Sequence, residues 1–208
     1  MNVHTQTLFL TGAAGALECA LDLPAATPRG VALVAHPHPL YGGSKDNKVA
    51  QTLARAFVAL DYVAVRMNFR GVGQSAGTHD AGRGETDDMA LLYTHMAQQY
   101  PGLPIALAGF SFGTFVQAQL QQRLLAQTGT GAERLVLVGS AAGKWPMPPV
   151  PADTILIHGE EDDTIPLAAV FDWARPQDIA VIVIPGAGHF FHRKLQHIKT
   201  LVVEMWRH

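Results

Sequence analysis

Ser111 lies in Gly109-Phe110-Ser111-Phe112-Gly113, a G-x-S-x-G pattern set between a short apolar run and a long helical pattern. A serine on a sharp strand-to-helix turn brings the residues two before and two after it together, and only small ones fit. The turn presents the hydroxyl at the edge of a sheet, and the start of the helix aims free N–H groups at developing negative charge. A hydroxyl is a poor nucleophile until a base takes its proton and a carboxylate orients that base. Two later loops hold those types: His158-Gly159-Glu160-Glu161-Asp162-Asp163-Thr164-Ile165-Pro166 and Pro185-Gly186-Ala187-Gly188-His189-Phe190-Phe191-His192. The residues allow any of the four carboxylates as the acid, and His189 or His192 as the base. His158 reads as a structural residue at a strand end.

Such chemistry needs the three loops at one edge of one sheet. The runs Gly30–Ala35, Tyr62–Met67, Pro104–Ala108, Arg134–Val138, Thr154–Ile157 and Ile179–Ile184 are nearly continuous in apolar residues and rich in Val and Ile. That pattern marks strands covered on both faces, as in a parallel sheet. Thr7–Leu10 and Ala16–Leu23 flank Thr11-Gly12-Ala13-Ala14-Gly15 and read as an antiparallel edge hairpin. Val49, Leu53, Ala56, Phe57 and Leu60 recur at helical spacing behind the cap candidates Asp46 and Asn47. Met89, Leu92, Tyr93 and Met96 repeat that spacing, with Glu85, Asp87 and Asp88 putting negative charge near the helix start. Phe112–Leu125, Leu167–Trp173 and Phe190–Trp206 supply the other helices. The alternation predicts an α/β fold with a mostly parallel sheet of about eight strands, helices on both faces and right-handed crossovers. Ligands of such sheets sit at the carboxyl ends of the strands, where all three loops fall.

An oxyanion formed at Ser111 needs two N–H donors. Phe112 offers one as the residue after the nucleophile. The other is expected from the loop His36-Pro37-His38-Pro39-Leu40-Tyr41-Gly42-Gly43. Pro37 and Pro39 have no N–H to give, which leaves His38 or Leu40.

With these residues in place, the chain resembles the α/β-hydrolase superfamily from about Gly30 to about His192, and more narrowly its small lidless bacterial hydrolases of the dienelactone-hydrolase-like kind. The resemblance rests on the H-P-H-P-x-x-G-G loop at 36–43, on Arg70 followed by Gly71-Val72-Gly73-Gln74-Ser75, and on the elbow at Ser111. It implies Asp162 as the acid, through a G-x-x-D-x-x-V-P pattern completed by Ile165-Pro166, and His189 as the base. Pro185 replaces the first glycine of the usual G-x-x-x-G-H-x-F ending, and Ser111 stands where dienelactone hydrolases proper carry cysteine. Superposition on the more usual H-G-x loop favours His38 over Leu40 as the second donor. Only Gly139 to Asp153 follows the Arg134–Val138 strand, too short for the lid that many relatives insert there. The expected pocket is therefore open and shallow, lined by candidates Tyr41, Phe110, Phe112, Trp145 and Met147, and suited to short acyl groups. The implied activity is hydrolysis of small acyl esters or thioesters through a Ser111–His189–Asp162 triad. The alternative is a non-catalytic protein that binds small molecules in the same cavity.

Other classes fit less well. Among 208 residues, 15 Lys+Arg stand against 17 Asp+Glu, so there is no overall basic field for nucleic acid or anionic lipid. Cys19 is the single cysteine, which leaves no internal disulfide and no Cys-rich zinc module. His36, His38, His189 and His192 lack a metal-site pattern, and neither Gly71-Val72-Gly73 nor Gly82-Arg83-Gly84 forms a phosphate cradle. No metal or cofactor is expected. Arg70 and Arg83 could hold an acidic substrate group, although pairing with Glu85, Asp87 or Asp88 is the simpler role. No signal peptide or membrane span is expected, which points to a cytoplasmic, single-domain protein over 1–208 with a small-molecule acyl substrate. Oligomeric state is not readable.

Overall fold

Five strands are buried at every residue: β3 (Gly30–Ala35), β4 (Tyr62–Met67), β5 (Ile105–Phe110), β6 (Leu135–Val138) and β7 (Ile155–Gly159). The computed structural model, which describes residues 5–206, places them at the centre of an eight-stranded sheet. β1 (Thr5–Gly12) and β2 (Gly15–Asp22) form the antiparallel hairpin at one edge, and β8 (Val181–Ile184) closes the other. The order is β1-β2-β4-β3-β5-β6-β7-β8, with β2 antiparallel to β4 and all strands from β3 to β8 parallel.

Side chains alternate across a strand, so the sheet has two cores. On one face lie α1 (Lys48–Val58) and α5 (Leu195–Trp206), which bury Leu53, Phe57, Phe191, Ile198 and Val202 against Val34, Ala108 and Phe110. On the other lie α2 (Arg83–Gln99), α3 (Phe112–Thr128) and α4 (Leu167–Ala174), which bury Met89, Leu92, Val116, Leu120 and Val170 against Leu33, Leu107 and Leu137. Asn47 caps α1 as its sequence suggests, its side chain accepting from the N–H groups of Val49 and Ala50.

The helix expected over Phe190–Trp206 is shorter: α5 begins only at Leu195. Phe191 and Arg193 have φ of 50° and 61°, a left-handed backbone that cannot continue a helix. This bent segment lets Phe191 reach the core while His189 turns toward the sheet edge. β8 likewise starts at Val181, and Ile179 packs into the α2/α3/α4 core instead. No helix lies between β6 and β7, so nothing there forms a lid. Among the described residues, no helix is long and apolar enough to cross a membrane.

Candidate active site

The end of β5 and the start of α3 are one residue apart, and that residue is Ser111. Its φ of 55° and ψ of −123° lie outside the regions ordinary residues favour, a strain that persists only where surrounding packing fixes it. The fixing contacts are close ones. A Cβ on Gly109 would lie 2.5 Å from the Gly113 carbonyl oxygen, and one on Gly113 would collide with the Ala35 carbonyl oxygen on β3. The Ser111 N–H donates to the Val138 carbonyl at 3.0 Å, tying the turn to β6. Thr114 donates its hydroxyl to the Ser111 carbonyl and accepts the Ala141 N–H at 2.9 Å, which ties the loop after β6 to the same turn.

His189, from the loop after β8, places Nε2 2.9 Å from Ser111 Oγ. Its Nδ1 lies 2.7 Å from Asp162 Oδ2, in the loop after β7. All three side chains are buried. Asp162 Oδ1 accepts the N–H groups of Thr164 and Ile165 at 3.0 and 2.7 Å. Burial pushes the Asp162 carboxyl up, but these hydrogen bonds and its histidine neighbours outweigh it and hold the group below its ordinary value. Asp163, Glu160, Glu161 and His192 are exposed. Glu160 instead accepts the Gly186 N–H at 2.8 Å and so braces the His189 loop.

One residue read from the sequence only as structural proves to support the acid. His158, fully buried on β7, lies with Nε2 2.9 Å from the Ile165 carbonyl and 3.3 Å from Asp162 Oδ2. Burial lowers its pKa, with the Ile165 carbonyl and Asp162 opposing and His189 adding to the fall. A neutral imidazole with its proton on Nε2 thus closes the Asp162–Ile165 turn and donates toward the carboxylate. The signal was available as a histidine four residues before the acid, but its direction was set only by the turn.

The loop after β3 borders the elbow because β3 pairs with β5. His36 anchors it: Nδ1 lies 2.6 Å from the Pro37 carbonyl, while Nε2 accepts the Phe69 N–H at 2.9 Å. The ring is fully buried, and burial, helped by the charge of Lys45, pushes its pKa down to about 4 against the pull of the Pro37 carbonyl. The Leu40 N–H donates to His38 Nδ1 at 3.2 Å, whereas the His38 N–H has no hydrogen-bond partner among the described residues. Phe112 is the first residue of α3, where a backbone N–H has no intrahelical acceptor. His38, Ser111 and Phe112 together line a cavity of about 80 Å³.

Tyr41 and Trp145 line that cavity, along with Lys144, Thr164 and Ile165, which sequence reasoning did not single out. Phe110 does not. As the last residue of β5 it faces the α1/α5 core, fully buried, with its ring 5.0 Å from that of His189. Met147 is also absent from the lining and packs half-buried against the α2/α3/α4 core, its carbonyl accepting the Trp173 indole N–H at 3.2 Å. Beside the cavity, the His38 ring lies 4.7 Å from that of His79, whose Nδ1 is 2.8 Å from Oε1 of the fully buried Glu85. Burial and the charge of His79 hold the His38 pKa below its ordinary value against the pull of Glu85.

The arginines serve the fold. Arg70 makes two parallel bonds to Asp88, at 2.8 and 2.9 Å, and Arg83 pairs with Asp80 on the surface. Ser75 accepts the Glu18 N–H and donates to the Asn68 carbonyl, so the Gly71–Ser75 segment is a braced turn. Among the described residues, no three His, Cys, Asp or Glu side chains are grouped to hold a metal ion.

Against known proteins, the family described as serine aminopeptidase, S33, matches residues 27–153. The chain belongs to that α/β-hydrolase family. The hydrolase is 34% identical to an α/β serine hydrolase without a lid from Xanthomonas campestris, with a TM-score of 0.90 over 100% of this chain and 95% of that one. It is 30% identical to an α/β serine hydrolase homologue from Coxiella burnetii, with a TM-score of 0.83 over 98% and 97% of the two chains. An uncharacterised protein of Rickettsia prowazekii is 28% identical over 94% of this hydrolase and 86% of its own length.

Proposed function

We propose that this hydrolase cleaves small acyl esters or thioesters through a covalent intermediate on Ser111. The observation that carries the reading is the continuous chain Ser111 Oγ–His189 Nε2, His189 Nδ1–Asp162 Oδ2, at 2.9 and 2.7 Å. Ser111 Oγ attacks the acyl carbon as its proton passes to His189 Nε2. Asp162 keeps the imidazole oriented and offsets its positive charge. The carbonyl oxygen, now an alkoxide, accepts from the N–H groups of Phe112 and His38. Collapse of the adduct breaks the bond to the leaving alcohol or thiol, which takes the proton from His189. Water then attacks the acyl-serine with His189 again as base, releasing the carboxylic acid and restoring Ser111.

The cavity at Ser111, about 80 Å³, is far below the roughly 300–1,000 Å³ of drug-sized ligand pockets. Its size supports an acyl group of a few carbons. Absence of a lid in the Xanthomonas relative accords with an open site of this kind. The test is intact mass after incubation with a fluorophosphonate probe, followed by a panel of short-chain esters and thioesters. One adduct on the native protein and none on Ser111→Ala is expected. No adduct on folded native protein would favour the binding-protein reading, and an adduct on both proteins would place the nucleophile elsewhere.

A further inference from the structure

An acyl donor has two ends, and the space at Ser111 accommodates only the smaller one. A second cavity, of about 430 Å³, is walled by residues that follow His189 in the chain and by residues from the end of the His38 loop to the first turn of α1. Phe190, next to His189 in the chain, lines this second cavity. Its half-exposed ring lies 5.1 Å from that of His189 and 6.1 Å from that of His192, which lines the second cavity. His189 must deliver its proton to the departing atom, so the leaving group lies against His189. Of the two cavities, the one behind Phe190 is large enough for a sizeable leaving group.

Its wall is cationic. Lys48 and Arg193 both line it, both are exposed, and neither forms an ion pair among the described residues. The one carboxylate in the wall is Asp46. Its oxygens lie 2.9 Å from Lys45 Nζ and 3.1 Å from Arg66 Nη1, cations that also hold Glu18 and Asp22. Ser44 adds a hydroxyl that can donate to an anion. The positive end of α1 opens here too, although Asn47 already occupies the N–H groups of Val49 and Ala50.

We propose that this cavity receives the leaving group and selects an alcohol or thiol that carries a phosphate or a carboxylate. The proposal rests on the serine-hydrolase reading above, and its test separates the two. Rates with phenyl acetate, para-acetoxybenzoate and para-acetoxyphenyl phosphate, each normalised to alkaline hydrolysis, compare one acyl group on neutral and anionic leaving groups. Monophenyl succinate puts the charge on the acyl side instead. The native protein is expected to prefer the leaving-side anions by about tenfold in kcat/KM, through KM, as two exposed ion pairs would give. The two anions, compared with each other, show whether phosphate or carboxylate is the group selected. The double variant Lys48→Ala/Arg193→Ala should lose that preference and keep its phenyl acetate rate. A preference that survives the double variant, or one for the succinate ester that Lys144→Ala removes, overturns the proposal. Calorimetric titration with phenyl phosphate tests the cavity without turnover: binding to the native protein and not to the double variant supports the anion site, and no binding overturns it. Failure to hydrolyse phenyl acetate, with no fluorophosphonate adduct, would count against the serine reading instead.

Discussion

Acid should unfasten the loop that carries His38 before it reaches the carboxylates, and His36 is the group through which it acts. The buried ring has Nδ1 on the Pro37 carbonyl and Nε2 accepting from the Phe69 N–H. A second proton has only Nε2 to occupy, and there it would expel the Phe69 N–H. The folded state therefore holds His36 neutral down to about 4, whereas the unfolded chain takes up the proton near 6.5. Between those values the unfolded state binds more protons, so stability is fully present above 6.5 and is lost as the pH falls toward 4. At about 1.4 kcal/mol per pH unit, that interval corresponds to a loss of about 3 kcal/mol. The carboxyl of Asp162, held below 3.8 in the folded protein, adds its own loss only at lower pH, because the unfolded chain begins to take up that proton only near 3.8. Urea unfolding of the native protein and of His36→Gln, followed from about pH 7.5 to about pH 4.5, isolates the contribution, since every other group is common to both. Glutamine can still accept the Phe69 N–H but does not titrate. The native protein should lose about 2.5 kcal/mol more than the variant across that range. Parallel curves would refute the argument and mean that burial does not keep His36 neutral in the folded protein.

Asp162→Asn should lower kcat by roughly four orders of magnitude, while Asp163→Asn, altered on an exposed side chain, should leave kcat unchanged; steady-state kinetics on a short-chain ester distinguish them. His158→Ala removes the N–H that faces the Ile165 carbonyl and Asp162 Oδ2, and should reduce stability by about 1–3 kcal/mol in urea melts. It should also reduce kcat more than it changes KM, because the acid loses a positioning contact. Asp88→Asn leaves the two-bonded Arg70 guanidinium without its charge partner, and a loss of about 3–5 kcal/mol is expected; an unchanged urea midpoint would show that solvent already screens the pair.

Composition and local pattern were enough to establish much of this protein. The unbroken Val- and Ile-rich runs marked β3 to β7 because a strand covered on both faces cannot afford polar alternation. The glycines around Ser111 marked the elbow because no larger residue fits beside Gly113 or against β3. The loops holding Asp162 and His189 were legible for the same reason: each follows a strand that must end at the same edge. What remained closed to the sequence depended on direction and distance. Strand parity turned Phe110 under His189 instead of into the pocket. A left-handed bend at Phe191 and Arg193 replaced the first turn of the expected final helix. His158, a strand-end residue by its sequence, faces Asp162 only because the following turn folds back on it. That the Leu40 N–H is taken up by the His38 ring was likewise set by the fold of that loop. Hydrophobic periodicity specifies which residues must be buried and where chains turn. The particular partner of each polar atom is decided only when elements distant in sequence come within hydrogen-bond reach.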